Sequence, residues 1–182
     1  MTITPLPLAG AYEIVLAPRG DERGYFMRSY DEKIFAAHGL NTNWVQENQS
    51  MTMVPGTIRG LHFQYPPHSE TKLVRVLVGR ILDVIVDVRA GSPTFGQHHA
   101  VELSAENQKC LYVPRGFAHG FCALDVPAVM HYKVDNFYAG DAEGGLFWND
   151  PALGIPWQVV SPLTSHKDAH WPLLVDLKPV VL

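Results

Sequence analysis

The sequence predicts an all-β fold in which two packed sheets close into a jelly roll. Fourteen prolines and fifteen glycines are spread evenly through 182 residues and separate many short apolar runs. Frequent strands joined by turns produce that pattern. Several runs, Ile81 to Val88 among them, are apolar on both faces, as strands covered on two sides are. Only one segment, near the N-terminus, carries the end signals of a helix.

That helix is read first. Ser29 precedes Glu32 by three residues, the spacing of a capping box, Ile34 to Ala37 supply an apolar turn, and Gly39 stands where a C′ glycine belongs. Strands are then expected over Trp44 to Ser50, Thr57 to Gln64 and Lys72 to Val78. Gly79-Arg80 reads as a two-residue hairpin turn of the II′ kind leading into Ile81 to Arg89. Further strands fall near His98 to Leu103, Gln108 to Val113, Gly120 to Leu124 and Ala128 to Phe137. From Asp150 onward the chain is rich in proline and is expected to wrap the barrel. Nothing marks a boundary, so residues 1–182 read as one domain.

Bulk composition narrows the function. Fourteen Lys+Arg against eighteen Asp+Glu give −4, which argues against general nucleic-acid binding and requires that any anion be held by a local cation cluster. Asp83 and Asp87 interrupt the longest apolar run, so no membrane span is expected. Met1 to Gly10 lacks the basic and apolar regions of a secretory leader. Cys110 and Cys122 are too few for a disulfide framework and read as reduced and buried, which points to the cytoplasm.

Two spacings carry chemistry. Gly56, five residues, His62, and later Gly79 follow the first motif of metal-binding cupin jelly rolls, and Pro114, Gly116 and His119 follow the second. The frame's second histidine is Gln64, however, and its carboxylate ligand is Lys72. An ammonium there repels a divalent cation, so no metal and no other cofactor is expected. His68 and Glu70 are the substitutes within reach, in what reads as a loop beside Pro66-Pro67. His62, Lys72 and Tyr132 lie on separate predicted strands and suit proton transfer beside a ketone. A histidine can take the proton, a lysine can stabilise the enolate oxygen, and a tyrosine can return a proton to the other face.

With those residues in place, the chain resembles the cupin-fold nucleotide-sugar epimerases typified by dTDP-4-dehydrorhamnose 3,5-epimerase. Gly20 to Phe26, Gln46-Glu47-Asn48, Arg59 to Gln64, Lys72 to Arg75 and Asp83 to Arg89 carry the likeness first. Ser92 to Gly96, Leu103 to Asn107, Pro114 to Phe121, Tyr132-Lys133, Glu143, Trp148 to Asp150, Gly154-Ile155 and Lys167-Asp168 continue it in order. The resemblance implies that His62 is the base, oriented by Asp168, that Tyr132 is the acid, and that Lys72 stabilises the enolate. It implies that Arg23, Arg59 and His119 hold the diphosphate of a nucleoside-diphosphate sugar. Gln46, Glu47, Asn48, Glu143 and Lys167 would line the cleft, and Tyr138 would stack on the base or shape the sugar pocket. It also implies a homodimer whose nucleotide end is completed by the neighbouring subunit.

One departure matters. The family pattern has glutamate where this chain has Arg28, in the nucleotide-binding set. Arginine only donates hydrogen bonds, so it cannot accept from thymine N3–H, whereas cytosine or guanine offers it acceptors. Alternatively, Arg28 pairs with Glu22 or Glu32 and leaves the base alone. Arg115 adds positive charge near the expected anion site. The expected activity is epimerisation at C3, C5 or both of a nucleoside-diphosphate 4-keto-6-deoxyhexose. Three other readings stay open: a single-centre enzyme on a CDP- or GDP-sugar, a non-catalytic sugar-nucleotide binder, and a metal-dependent cupin oxygenase.

Overall fold

The computed structural model describes residues Met1–Leu182 and is built almost wholly of strands. In chain order these are β1 (Thr2–Pro5), β2 (Tyr12–Val15), β3 (Arg19–Asp21), β4 (Gly24–Phe26), α1 (Glu32–Ala37), β5 (Gln46–Thr52), β6 (Ile58–Gln64), β7 (Lys72–Asp87), β8 (His98–Ser104), β9 (Lys109–Val113), β10 (Phe117–Val134) and β11 (Glu143–Gly145). The N-terminal half of β7 pairs with β9 and with the C-terminal half of β10, which also carries β5 on its far side. The C-terminal half of β7 pairs with β8 and with the N-terminal half of β10, beyond which lie β6 and β11. Two sheets therefore share two long strands that pass from one to the other, the jelly roll that the composition implies.

Strand alternation sorts side chains into three cores. Val74, Val76, Ile81, Ile85, Phe117 and Phe121 form part of the interior cluster, together with Leu111 and Met130. Leu82, Val84, Val86, Ala118 and Cys122 face outward into a second cluster. The chain beyond Asp150 covers that cluster with Leu153, Trp157, Leu177 and Val180, tied down by bridges Thr57↔Leu163 and Arg89↔Val180. A third cluster buries Phe35 of α1 against Ile14, Leu73, Cys110 and Tyr112. Both cysteines are free and buried. No helix is long and apolar enough to cross a membrane.

Two local expectations are corrected. The helix cap is Asp31, not Ser29: its Oδ1 accepts from the N–H groups of Lys33 and Ile34 at 3.1 and 3.3 Å. Burial of Phe35 sets the start of the helix, and the cap nearest that turn wins. Gly39 does close it, at φ +68°. Gly79-Arg80 is not a hairpin turn, because β7 runs straight through it. A Cβ on Gly79 would lie 2.5 Å from the Pro127 carbonyl oxygen and 2.7 Å from that of Asp125. The glycine admits the irregular stretch of β10 at the point where both long strands change sheet, so Gly120–Leu124 and Ala128–Phe137 belong largely to one strand.

Candidate active site

A bulge in β6 assembles the centre of the site. His62 stands opposite His119, whereas Arg59, three residues earlier, stands opposite Phe121, two residues later. Strict alternation would place Arg59 and His62 on opposite faces; the extra residue brings both to the interior. Gly60 makes this possible. Its φ is +129°, and a Cβ there would lie 2.6 Å from the Gly120 Cα and 2.9 Å from the His119 carbonyl oxygen.

Asp168 reaches His62 from a single turn of 3-10 helix, Asp168–His170. Its Oδ1 lies 2.6 Å from His62 Nε2, and its Oδ2 accepts from the Gly60 N–H at 3.2 Å. Burial alone would raise the Asp168 pKa. Hydrogen bonding to His62, Gly60 and Ser165, with attraction to the imidazole, outweighs burial and lowers it. A carboxylate held ionised there accepts from Nε2–H and leaves the lone pair on His62 Nδ1. The edge of Trp171 packs against the imidazole at 6.2 Å.

Lys72 is nine-tenths buried, its Nζ 3.2 Å from Glu70 Oε1. Glu70 Oε2 in turn accepts from Gln64 Nε2 at 3.2 Å. Gln64 also donates to the His68 and Phe137 carbonyls and accepts from the Ala139 N–H. The positions that hold ligands in a metal-binding cupin thus carry an ammonium and a fully engaged amide. No group of three His, Cys, Asp or Glu could hold a metal ion. Tyr132 lines the same cleft. Burial raises its pKa, with a smaller contribution from Glu70 against an opposing one from Arg59, so the phenol keeps its proton at neutral pH.

His62, Lys72 and Tyr132 line two adjoining cavities, of about 550 and 200 Å³. The larger runs past Arg59 and His119 to the core residues Phe121 and Met130. His119 is buried, with Nε2 2.9 and 3.0 Å from the two oxygens of Asp83. The smaller leads to Gln46, Asn48, Glu143 and Tyr138, which is 66% exposed and marks the mouth. There Glu143 Oε2 accepts from Tyr138 Oη at 3.0 Å and from Lys167 Nζ at 2.5 Å. Burial would raise the Glu143 pKa; these two bonds, with the Lys167 and His62 charges, lower it.

Several predicted residues fall elsewhere. Glu47 faces away from the cleft, because β5 alternates: Gln46, Asn48 and Ser50 point in, while Glu47 pairs with Lys133 at 2.6 Å and His131 at 3.3 Å outside. Arg115 pairs with Asp135 at 3.1 Å and is not among the cleft residues. Arg23, on the exposed β3–β4 hairpin, forms an ion pair with Asp21. Arg28 lines a separate cavity of about 300 Å³ and approaches Asp31, not Glu22 or Glu32, at 3.6 Å. Ser50, Gly60, Ser165 and Trp171 were not anticipated. Alternation from Gln46 and Asn48 was the signal for Ser50; nothing local signals the others.

Comparison with known proteins decides among the readings of this centre. The family model described as dTDP-4-dehydrorhamnose 3,5-epimerase matches residues 5–176. The chain belongs to that family. As an epimerase it is an isomerase. It is 48% identical over 158 residues to dTDP-4-dehydrorhamnose 3,5-epimerase of Shigella flexneri, covering 86% of this chain and 87% of that protein. The crystal structure of the Bacillus anthracis enzyme with TDP and PPi bound superposes with a TM-score of 0.92 at 45% identity, over 94% of this chain and 98% of that one. The Legionella pneumophila epimerase in complex with dTDP-4-keto-L-rhamnose gives 0.92 at 38% identity, over 97% and 94%.

Proposed function

We propose that this epimerase inverts C3, C5 or both of a nucleoside-diphosphate 4-keto-6-deoxyhexose, in a reaction of the dTDP-4-dehydro-6-deoxyglucose to dTDP-4-dehydrorhamnose type. The observation that carries the reading is the His62–Asp168 contact in a cleft that also holds Lys72 and Tyr132. The ketone acidifies the neighbouring C–H bonds. His62 Nδ1 takes one such proton, and the electron pair moves to the ketone oxygen as an enolate. The Lys72 ammonium stabilises that oxygen. Tyr132 then gives its proton to the opposite face of the carbon, and exchange with solvent restores both residues. Acid–base chemistry accounts for roughly 10²–10⁴-fold; positioning and enolate electrostatics supply the rest.

Arg59 and Lys167 give the cleft the cations that a diphosphate requires, His119 adds a ring nitrogen, and Tyr138 offers a ring to the base at the mouth. The protein is taken to be a cytoplasmic homodimer. Arg23 and Arg28 lie outside their own cleft, and Tyr25 and Phe26 beside them are 61% and 69% exposed, as suits a hairpin that reaches a second copy. Light scattering tests the dimer.

The defining experiment is incubation with dTDP-4-keto-6-deoxyglucose in D₂O, with C3–H and C5–H followed by proton NMR. Loss of both signals with changed configuration marks a double epimerase; loss of one marks a single-centre enzyme. If neither carbon exchanges, but CDP- or GDP-linked 4-keto sugars do, the base preference follows Arg28. No exchange with any of them would leave a binding protein.

A further inference from the structure

Ser50 carries a buried hydroxyl for which the fold has no use. Its Oγ is buried and has no hydrogen-bond partner in the protein. Yet the residue lines the larger cavity, on the inward face of β5 beside Met130 of β10. Its neighbour on that face, Thr52, is committed: Thr52 Oγ1 accepts from Arg59 Nε at 3.2 Å. An unpaired buried hydroxyl disfavours the folded state, and alanine at the same position would avoid that cost.

We propose that Ser50 is a substrate-binding residue whose hydroxyl bonds an oxygen of the hexose held between His62 and Tyr132. This rests on the epimerase reading above and adds a contact to it. The larger cavity opens to solvent beside Leu163 and Lys167 and is floored by Ile58, Phe121 and Met130, all buried. A ligand whose nucleotide lies toward Tyr138 and Lys167 places its sugar beside His62, Lys72 and Tyr132, which line both cavities. Ser50 lines only the larger cavity, together with those three residues. Rotation about one staggered bond swings Oγ into the cleft, and it breaks no hydrogen bond because none exists. The bond is made in the bound state only, so it favours one orientation of the ring.

Ser50→Ala separates this role from a structural one. Loss of one hydrogen bond to a neutral sugar oxygen is expected to lower kcat/KM for the 4-keto sugar roughly 5- to 20-fold. The Kd for dTDP alone, by calorimetry, should stay unchanged, and the Tm should stay equal or rise. Ser50→Cys, which keeps the volume but donates weakly, should show the same loss of turnover and guards against misfolding of the alanine variant. A kcat/KM within about twofold of the parent for either variant overturns the proposal. A parallel fall in dTDP affinity would do the same, and so would a lowered Tm, which would reveal a partner within the fold. If the parent protein itself exchanges no carbon-bound hydrogen in D₂O, it is the epimerase reading that has failed.

Discussion

His62 and Asp168 stand 106 residues apart in the chain, yet Nε2 of one lies 2.6 Å from Oδ1 of the other. The contact is a structural joint as well as a chemical one, since the second carboxylate oxygen is bound to the Gly60 N–H inside the bulge that orients His62. One carboxylate therefore fixes both the tautomer of the imidazole and the strand that bears it.

Asp168→Asn tests that double role. An amide in place of the carboxylate loses the preference for Nε2–H and so the free lone pair on Nδ1. Turnover should fall about 10²–10⁴-fold while dTDP affinity holds, measured by steady-state kinetics beside calorimetry. The sign of the pH effect follows from the lowered Asp168 pKa. The ionised dyad persists above the ordinary carboxylate range and is lost only as pH falls through the lowered value. Activity that declined already on the acid side of neutrality through Asp168 protonation would contradict this.

Tyr132→Phe should separate proton removal from inversion. His62 can still take a proton and Lys72 can still hold the enolate, so C–H exchange in D₂O should continue while the new configuration fails to appear. Because burial raises the Tyr132 pKa, the phenol keeps its proton as pH rises through the ordinary tyrosine value and loses it only above that. The difference between parent and variant in tyrosinate absorbance should therefore develop above about pH 10.

Lys72→Met keeps the length of the side chain and removes the charge. Loss of an oxyanion-stabilising donor is expected to lower kcat about 10²–10³-fold. The same change leaves Glu70 without its cation in a nearly closed site, so Tm should fall as well. An unchanged kcat would remove Lys72 from the chemistry.

Gly60→Ala should cost stability before it costs chemistry. Its φ of +129° is open to glycine, and the added methyl meets the backbone of Gly120 and His119 at 2.6 and 2.9 Å. Backbone strain and overpacking of this kind are worth about 1–3 kcal/mol each, visible as a lower Tm. Any folded fraction should show weakened catalysis, because the bulge holds Arg59 and His62 on one face.

Much of this was legible along the chain because it is local. Strand frequency follows from glycines, prolines and alternating apolar residues. The residue types at His62, Lys72 and Tyr132 suit proton transfer beside a ketone, and Gln64 and Lys72 depart from the metal-binding frame in residue type alone. Even the outward aim of Glu47 was implicit in the alternation of β5. The tertiary structure decided what depends on contacts between distant segments. Asp31 rather than Ser29 caps the helix because Phe35 must reach the third core. Gly79 continues a strand instead of turning it because Asp125 and Pro127 press against it. Arg59 joins His62 because Gly60 bulges against Gly120, and Asp168 completes the dyad across 106 residues. Residue type sets which chemistry is available to a chain, whereas register and close approach set which residues share a cavity, and those arise only when remote strands pack.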